Sequence, residues 1–265
     1  DSSSKDAAHP ASPESYRLSI KPTLVTIEAG HAAGHYYATR TLLQLLPAQA
    51  ATGQKPAPGQ SAAWTAPCVE IEDQPRFAWR SFMVDDARNF QGVPALKRYL
   101  DEMAALKLNV FHWHFIDNEG WRLEINRYPK LTAVGATTAA PLVGDVIPPA
   151  DPAATPRFYY TQEEAREIVA YAARRHIRVV PEVEMPGHSK AAIRAYPAWG
   201  SGAILDVSNP EVVTALKHIL DEVIAIFPDL CLHTGGDEVD FKAWEKTPGI
   251  KAAMAKKTSE YRLAL

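Results

Sequence analysis

The chain has 265 residues, 46% of them hydrophobic and 22% charged, with a net charge of −3 and a pI near 6.3. That is an ordinary globular mixture with no basic excess, so neither nucleic acid nor an anionic membrane surface is implied as a partner. No apolar run approaches the roughly 20 residues of a membrane span, and two cysteines, Cys68 and Cys231, are too few for a disulfide framework.

Residues 1–14 are rich in Ser, Asp, Ala and Pro and predict a flexible leader. The start at Asp1 suggests that the native beginning is missing or processed. From Tyr16 to Ile27 polar residues alternate with Leu18, Ile20, Val25 and Ile27 around a Lys21-Pro22 break, which predicts two short strands. Tyr37, Leu42, Leu45 and Leu46 have helical spacing, residues 47–63 are a Gly/Pro/Ala/Gln loop, and Pro67–Asp73 is a third short strand. These elements form a small α+β domain, residues 15–74, with its boundary near Gln74-Pro75.

After Pro75, strands alternate with longer helices. The expected strands are Arg80–Asp85, Leu108–Phe115, Ile177–Val183 and the apolar run Leu230-Cys231-Leu232. In that run Cys231 predicts as a small buried hydrophobe, and pairing of the two cysteines is left open. The expected helices are Pro94–Lys107, one opened by the capping box Thr161/Glu164, and one capped by Asn209-Pro210 and stopped at Pro228. Residues 117–160 form a proline-rich insertion without periodicity. Four strand–helix units predict an α/β fold of the (β/α)8 TIM-barrel type, with about the first half present in residues 75–265.

In such barrels the chemistry gathers at the C-terminal ends of strands. Strand two ends in His112-Trp113-His114-Phe115-Ile116-Asp117, strand three in Glu182-Val183-Glu184-Met185-Pro186-Gly187-His188, and strand four in His233-Thr234-Gly235-Gly236-Asp237-Glu238. An isolated Asp-Glu pair is usually a solvated surface feature. Here it follows an apolar run and two turn-forming glycines, and two other strand ends bring histidine and carboxylate to the same rim. Paired carboxylates supply general acid and base catalysis. A second reading takes His112 and His114, which alternate to one side of a strand, with His188 as ligands of a metal-dependent hydrolase.

Four segments, Trp79–Arg88, Asn109–Asp117, Pro181–His188 and His233–Val239, together resemble glycoside hydrolase family 20, the β-N-acetylhexosaminidases. The resemblance implies a retaining, substrate-assisted mechanism, an exception to the usual protein nucleophile. It makes Glu238 the general acid, buried and beside the charge of Asp237, and Asp237 the residue that orients the substrate's 2-acetamido group. It further implies that Arg80 holds sugar hydroxyls and that Asp117 and His188 support the acid; His114, Glu184 and His233, on the same rim, read as residues standing behind them. No cofactor or metal is implied. The expected partner is an N-acetylhexosamine-containing oligosaccharide or glycoconjugate, and the motifs suggest an exported bacterial enzyme. A barrel that stops after four units would leave open sheet edges, which predicts weak or partner-dependent turnover and association with a second copy.

Overall fold

The computed structural model describes residues 12–47, 64–136, 157–239, 242, 244, 249–252 and 255–256. Most of the expected leader, the 48–63 loop, the centre of the insertion and the last residues lie outside these. The described residues fall into two compact units, one drawn from Asp1–Arg80 with Met103–Asn109 and the other from Ser81–Glu102 with Val110–Leu265.

In the first unit, β1 (Tyr16–Lys21) lies between β2 (Leu24–Glu28) and β3 (Val69–Asp73), antiparallel to both. Alternation along β1 turns Tyr16, Leu18 and Ile20 toward α1 (Ala32–Leu45), whose Tyr37 and Ala38 complete the core. Residues 12–14, expected in the leader, instead make a turn closed by the Ser15 N–H on Ser12 O at 2.8 Å. Glu14 is held there because its carboxylate accepts from Asn109 Nδ2 at 2.9 Å and pairs with Arg80.

The second unit is built on a parallel sheet of β4 (Ser81–Asp85), β5 (Val110–His114) and β6 (Arg178–Glu182), in that order. Helix α2 (Gly92–Ala105) connects β4 to β5. A segment holding the single-turn α3 (Lys130–Ala133), followed by α4 (Gln162–Ala173), connects β5 to β6. Beyond β6 come α5 (Lys190–Ala195), a 3₁₀ turn, the two-residue pair β7 (Gly200–Ser201) and β8 (Ile204–Leu205), and α6 (Pro210–Ile226). The long helices bury stripes at helical spacing, Leu96–Leu100–Met103 on α2, Ala165–Ile168–Ala172 on α4 and Val212–Ala215–Ile219–Val223 on α6. Each fully buried Leu, Ile, Val or Met side chain among them contributes about 1.5–3 kcal/mol. Local chemistry sets the helix starts: Thr161 and Glu164 close a reciprocal capping box, and Asn209 accepts from the Glu211 N–H ahead of Pro210 at N1.

The fourth strand departs from expectation. Its pairing with β6 is parallel but short, made by the His233 N–H on Pro181 O (3.0 Å), the Val183 N–H on His233 O (2.9 Å) and the Met185 N–H on Thr234 O (3.1 Å). The ladder begins at His233, so Leu230-Cys231-Leu232 lies before it, and Leu230 is 99% exposed. Cys231 is likewise exposed rather than buried, and both cysteines are free thiols. Apolar character alone does not bury a segment on the last strand of a sheet, because burial needs a neighbour on its outer side.

Candidate active site

The strand register aligns the chemistry. Asp85 pairs with His114, His114 with Glu182, and Glu182 with His233, one row across four adjacent strand ends. Alternation then places His112 with His114, and Glu184 with Glu182, on shared faces.

Glu182 is the hub. One oxygen lies 2.6 Å from His114 Nδ1 and 2.7 Å from His112 Nε2, and the other 2.9 Å from His233 Nδ1. Burial would raise its pKa, but the hydrogen bonds from His112 and His114 and the His114 charge hold it well below the usual carboxylate range. The other His114 nitrogen, Nε2, lies 3.0 Å from Asp117 Oδ2. Burial works against the imidazolium, yet its bonds to Asp117 and Glu182 outweigh this and push His114 up to about 10. Asp117 is buried, and although burial would raise its pKa, it is lowered by the His114 bond, the Asn118 N–H and the charges of Arg88 and His188. It passes the line on: Asp117 Oδ1 is 3.1 Å from His188 Nδ1, and His188 Nε2 is 3.3 Å from Glu238 Oε2 and 3.7 Å from Asp237 Oδ2. Five of the expected residues, Asp117, His188, His114, His233 and Glu238, thus stand in one chain of contacts through Glu182.

The Asp237-Glu238 pair rides on a turn with left-handed backbone at Gly235 (φ 62°), Gly236 (φ 101°) and Glu238 itself (φ 48°). The burial expected around the pair is not there among the described residues: the Glu238 side chain is 79% exposed and that of Asp237 67%. A rim position with solvent on its open side explains this. Glu184 does lie beneath the turn, buried, with Oε2 accepting from the Gly236 N–H at 3.3 Å.

Arg80 is not at the rim. It immediately precedes the N-terminal end of β4, and its guanidinium is spent on Glu14, Lys107 O (2.7 Å) and Phe77 O (2.8 Å). The rim arginine is Arg88, after the C-terminal end of the same strand, where Nη1 meets Asp85 Oδ2 at 2.6 Å and Nη2 meets Asp117 Oδ2 at 2.8 Å. Both lie in the stretch that carried the first motif. Applying the strand-end rule to β4, as to the other strands, would have chosen Arg88.

A second residue missed from the sequence is Arg122, wholly buried, which donates to Ala87 O (2.7 Å), Ala136 O (2.9 Å) and Phe158 O (3.2 Å) and so clamps the segment between Asp85 and Arg88. Trp113 and Trp121 are core residues, their indole N–H groups bonded to Asp86 (2.9 Å) and Leu123 O (2.7 Å).

The histidines of the metal reading do not form one site. His112, His114 and His188 do not converge: they fall into three groups, with Glu182 and His233, with Glu182 and Glu184, and with Asp237 and Glu238 respectively. In the first two groups the ring nitrogens already lie 2.6–2.9 Å from the Glu182 carboxylate.

Residues 77–263 match the glycosyl hydrolase family 20 catalytic domain, and residues 2–74 match domain 2 of the same family. The chain belongs to glycosyl hydrolase family 20. The family 20 catalytic domain is a TIM barrel, and the parallel sheet of the second unit is part of one. Among similar proteins, beta-hexosaminidases of Porphyromonas gingivalis and Vibrio furnissii are each 37% identical, over 91% of this chain and 31% and 40% of their own lengths. A beta-N-acetylhexosaminidase from Bacteroides fragilis superposes with a TM-score of 0.79 at 37% identity, over 94% of this chain and 47% of its own. An exo beta-N-acetylglucosaminidase from Vibrio harveyi, solved in complex with N-acetylglucosamine, gives 0.78 at 32%, over 94% and 40%. The chain therefore spans less than half the length of these relatives.

Proposed function

We propose that this family 20 chain carries the catalytic pair of a β-N-acetylhexosaminidase that releases terminal β-linked N-acetylhexosamine with retention, the substrate's own acetamido oxygen acting as nucleophile. The observation that carries the reading is the line Asp117–His188–Glu238, with Asp237 beside it on one turn. Two consecutive carboxylates at one strand end reach the sugar from one side, so neither stands across the ring as a protein nucleophile would. Glu238 protonates the departing glycosidic oxygen, held by the His188 imidazole, which Asp117 orients. Asp237 accepts the acetamido N–H, turning the carbonyl oxygen toward the anomeric carbon. Attack closes an oxazolinium ring as the C–O bond breaks, and water deprotonated by Glu238 reopens it. Arg88 takes the hydroxyl-holding role expected of Arg80. Its guanidinium is exposed at the rim and fixed by two carboxylates, which suits it to a vicinal diol.

The test is release of aryl alcohol from aryl β-N-acetylglucosaminide and from the matching glucoside. Turnover of the first alone is expected, falling about 10²-fold or more in Glu238→Gln with a poor leaving group and similarly in Asp237→Asn. Comparable rates on the two substrates would overturn the acetamido route.

A further inference from the structure

Glu184 is a buried carboxyl of the rim that the chemistry above leaves unused. Three observations converge on it. Its carboxyl fills the space over Gly235, where an added Cβ would lie 1.8 Å from Oε2 and 2.1 Å from Cδ. Its Oε2 accepts the Gly236 N–H at 3.3 Å. It also packs against Glu182 and His114, with a carboxylate oxygen of each acid and a ring nitrogen of the imidazole all within 4.8 Å of one another. When two buried carboxyl groups share so small a site, one of them is driven to keep its proton.

We propose that Glu184 is a positioning residue that acts as a protonated latch, sharing one proton with Glu182 and holding from beneath the turn that presents Asp237 and Glu238. The surroundings favour this. Glu182 faces the imidazoles of His112, His114 and His233 and keeps its negative charge, whereas Glu184 faces Glu182 and the charge of Asp237, which together with burial outweigh the Gly236 N–H and the nearby His114 imidazolium that favour its ionised form. Burial, the neighbouring Glu182 and the Asp237 charge push Glu184 up to about 7. When it ionises, Glu182, Glu184 and Asp237 become mutually repelling and the support beneath Gly235–Gly236 weakens. Any effect on turnover rests on the function proposed above; the proton and the turn are read without turnover.

The full chain is titrated from below pH 5 to above pH 8 by infrared difference spectroscopy, alongside amide exchange at Gly236 and thermal midpoints. Wild type should show a protonated-carboxyl C=O band that disappears through about pH 7 and is absent in Glu184→Gln. The folded group binds its proton more tightly than the unfolded one, whose reference is 4.5. Stability should therefore fall as pH rises between those values, and Glu184→Gln should remove that part of the slope. Because glutamine still donates to Glu182, Gly236 exchange should stay slow above pH 8 in Glu184→Gln while it quickens in wild type. A band titrating near the ordinary carboxylate value, or a slope and exchange profile unchanged by Glu184→Gln, would overturn the proposal. If the latch is confirmed while both aryl substrates resist hydrolysis, the fault lies with the proposed function and not with the latch.

Discussion

Gly235→Ala tests the packing beneath the catalytic turn. Two costs are separable. The left-handed backbone (φ 62°) costs an alanine about 1 kcal/mol. The new Cβ would lie 1.8 Å from Glu184 Oε2, so the carboxyl must leave its buried seat, losing hydrogen bonds worth about 1–3 kcal/mol. The sum is about 2–4 kcal/mol, or a fall of about 4–16 °C in thermal midpoint for a chain of this size. Gly202 supplies the control, since its φ is 64° with nothing within 4 Å of an added Cβ. Gly202→Ala should carry the backbone cost alone, about 2–4 °C. Measured by circular dichroism, the difference between the two variants isolates the contact with Glu184. In a Glu184→Ala background the cost of Gly235→Ala should drop to the Gly202 figure, because the obstructing atoms are gone. Equal costs for Gly235→Ala and Gly202→Ala in the parent chain would refute the reasoning.

The two arginines of the first motif should separate cleanly. Arg88→Ala is expected to lower kcat/KM on aryl β-N-acetylglucosaminide by about 10²-fold, the scale of a lost substrate-positioning contact, beyond any loss of stability from removing its pair with Asp117. Arg80→Ala should cost about 1–3 kcal/mol in urea denaturation by leaving the half-buried Glu14 carboxylate with Asn109 but without its charge partner, with kcat/KM unchanged. Arg122→Met should cost about 3 kcal/mol or more in the same denaturation assay, since it leaves the Ala87, Ala136 and Phe158 carbonyls without their buried donor.

Most of the framework was legible in the chain because it depends on near neighbours. Helix starts at Thr161 and Asn209 follow from side chains reaching backbone groups two or three residues away. The strand-end clusters followed from counting along parallel strands, and they gather as expected in the row Asp85–His114–Glu182–His233. Errors arose where a distant neighbour decides. Leu230 and Cys231 have the composition of a buried strand, but their exposure depends on what lies outside the last paired strand.

Arg80 and Arg88 show the division most clearly. Their residue type and the motif around them are matters of sequence, and so is the presence of an arginine near each end of β4. Which of them meets the site depends on the direction of the strand and on the partners waiting there, Glu14 and carbonyl oxygens for one, Asp85 and Asp117 for the other. Glu184 is the same case at shorter range. Its type and alternation with Glu182 were readable, whereas its seat against Gly235 was not. The sequence by itself determined the family, the order of the main strands and long helices and the chemical groups at the rim, because propensity, capping and alternation act over a few residues, whereas the short elements α3, α5, β7 and β8 were not legible in it. The tertiary structure alone decided which groups touch, because charge pairing, burial and the pKa of each carboxyl depend on distances between residues far apart in the chain.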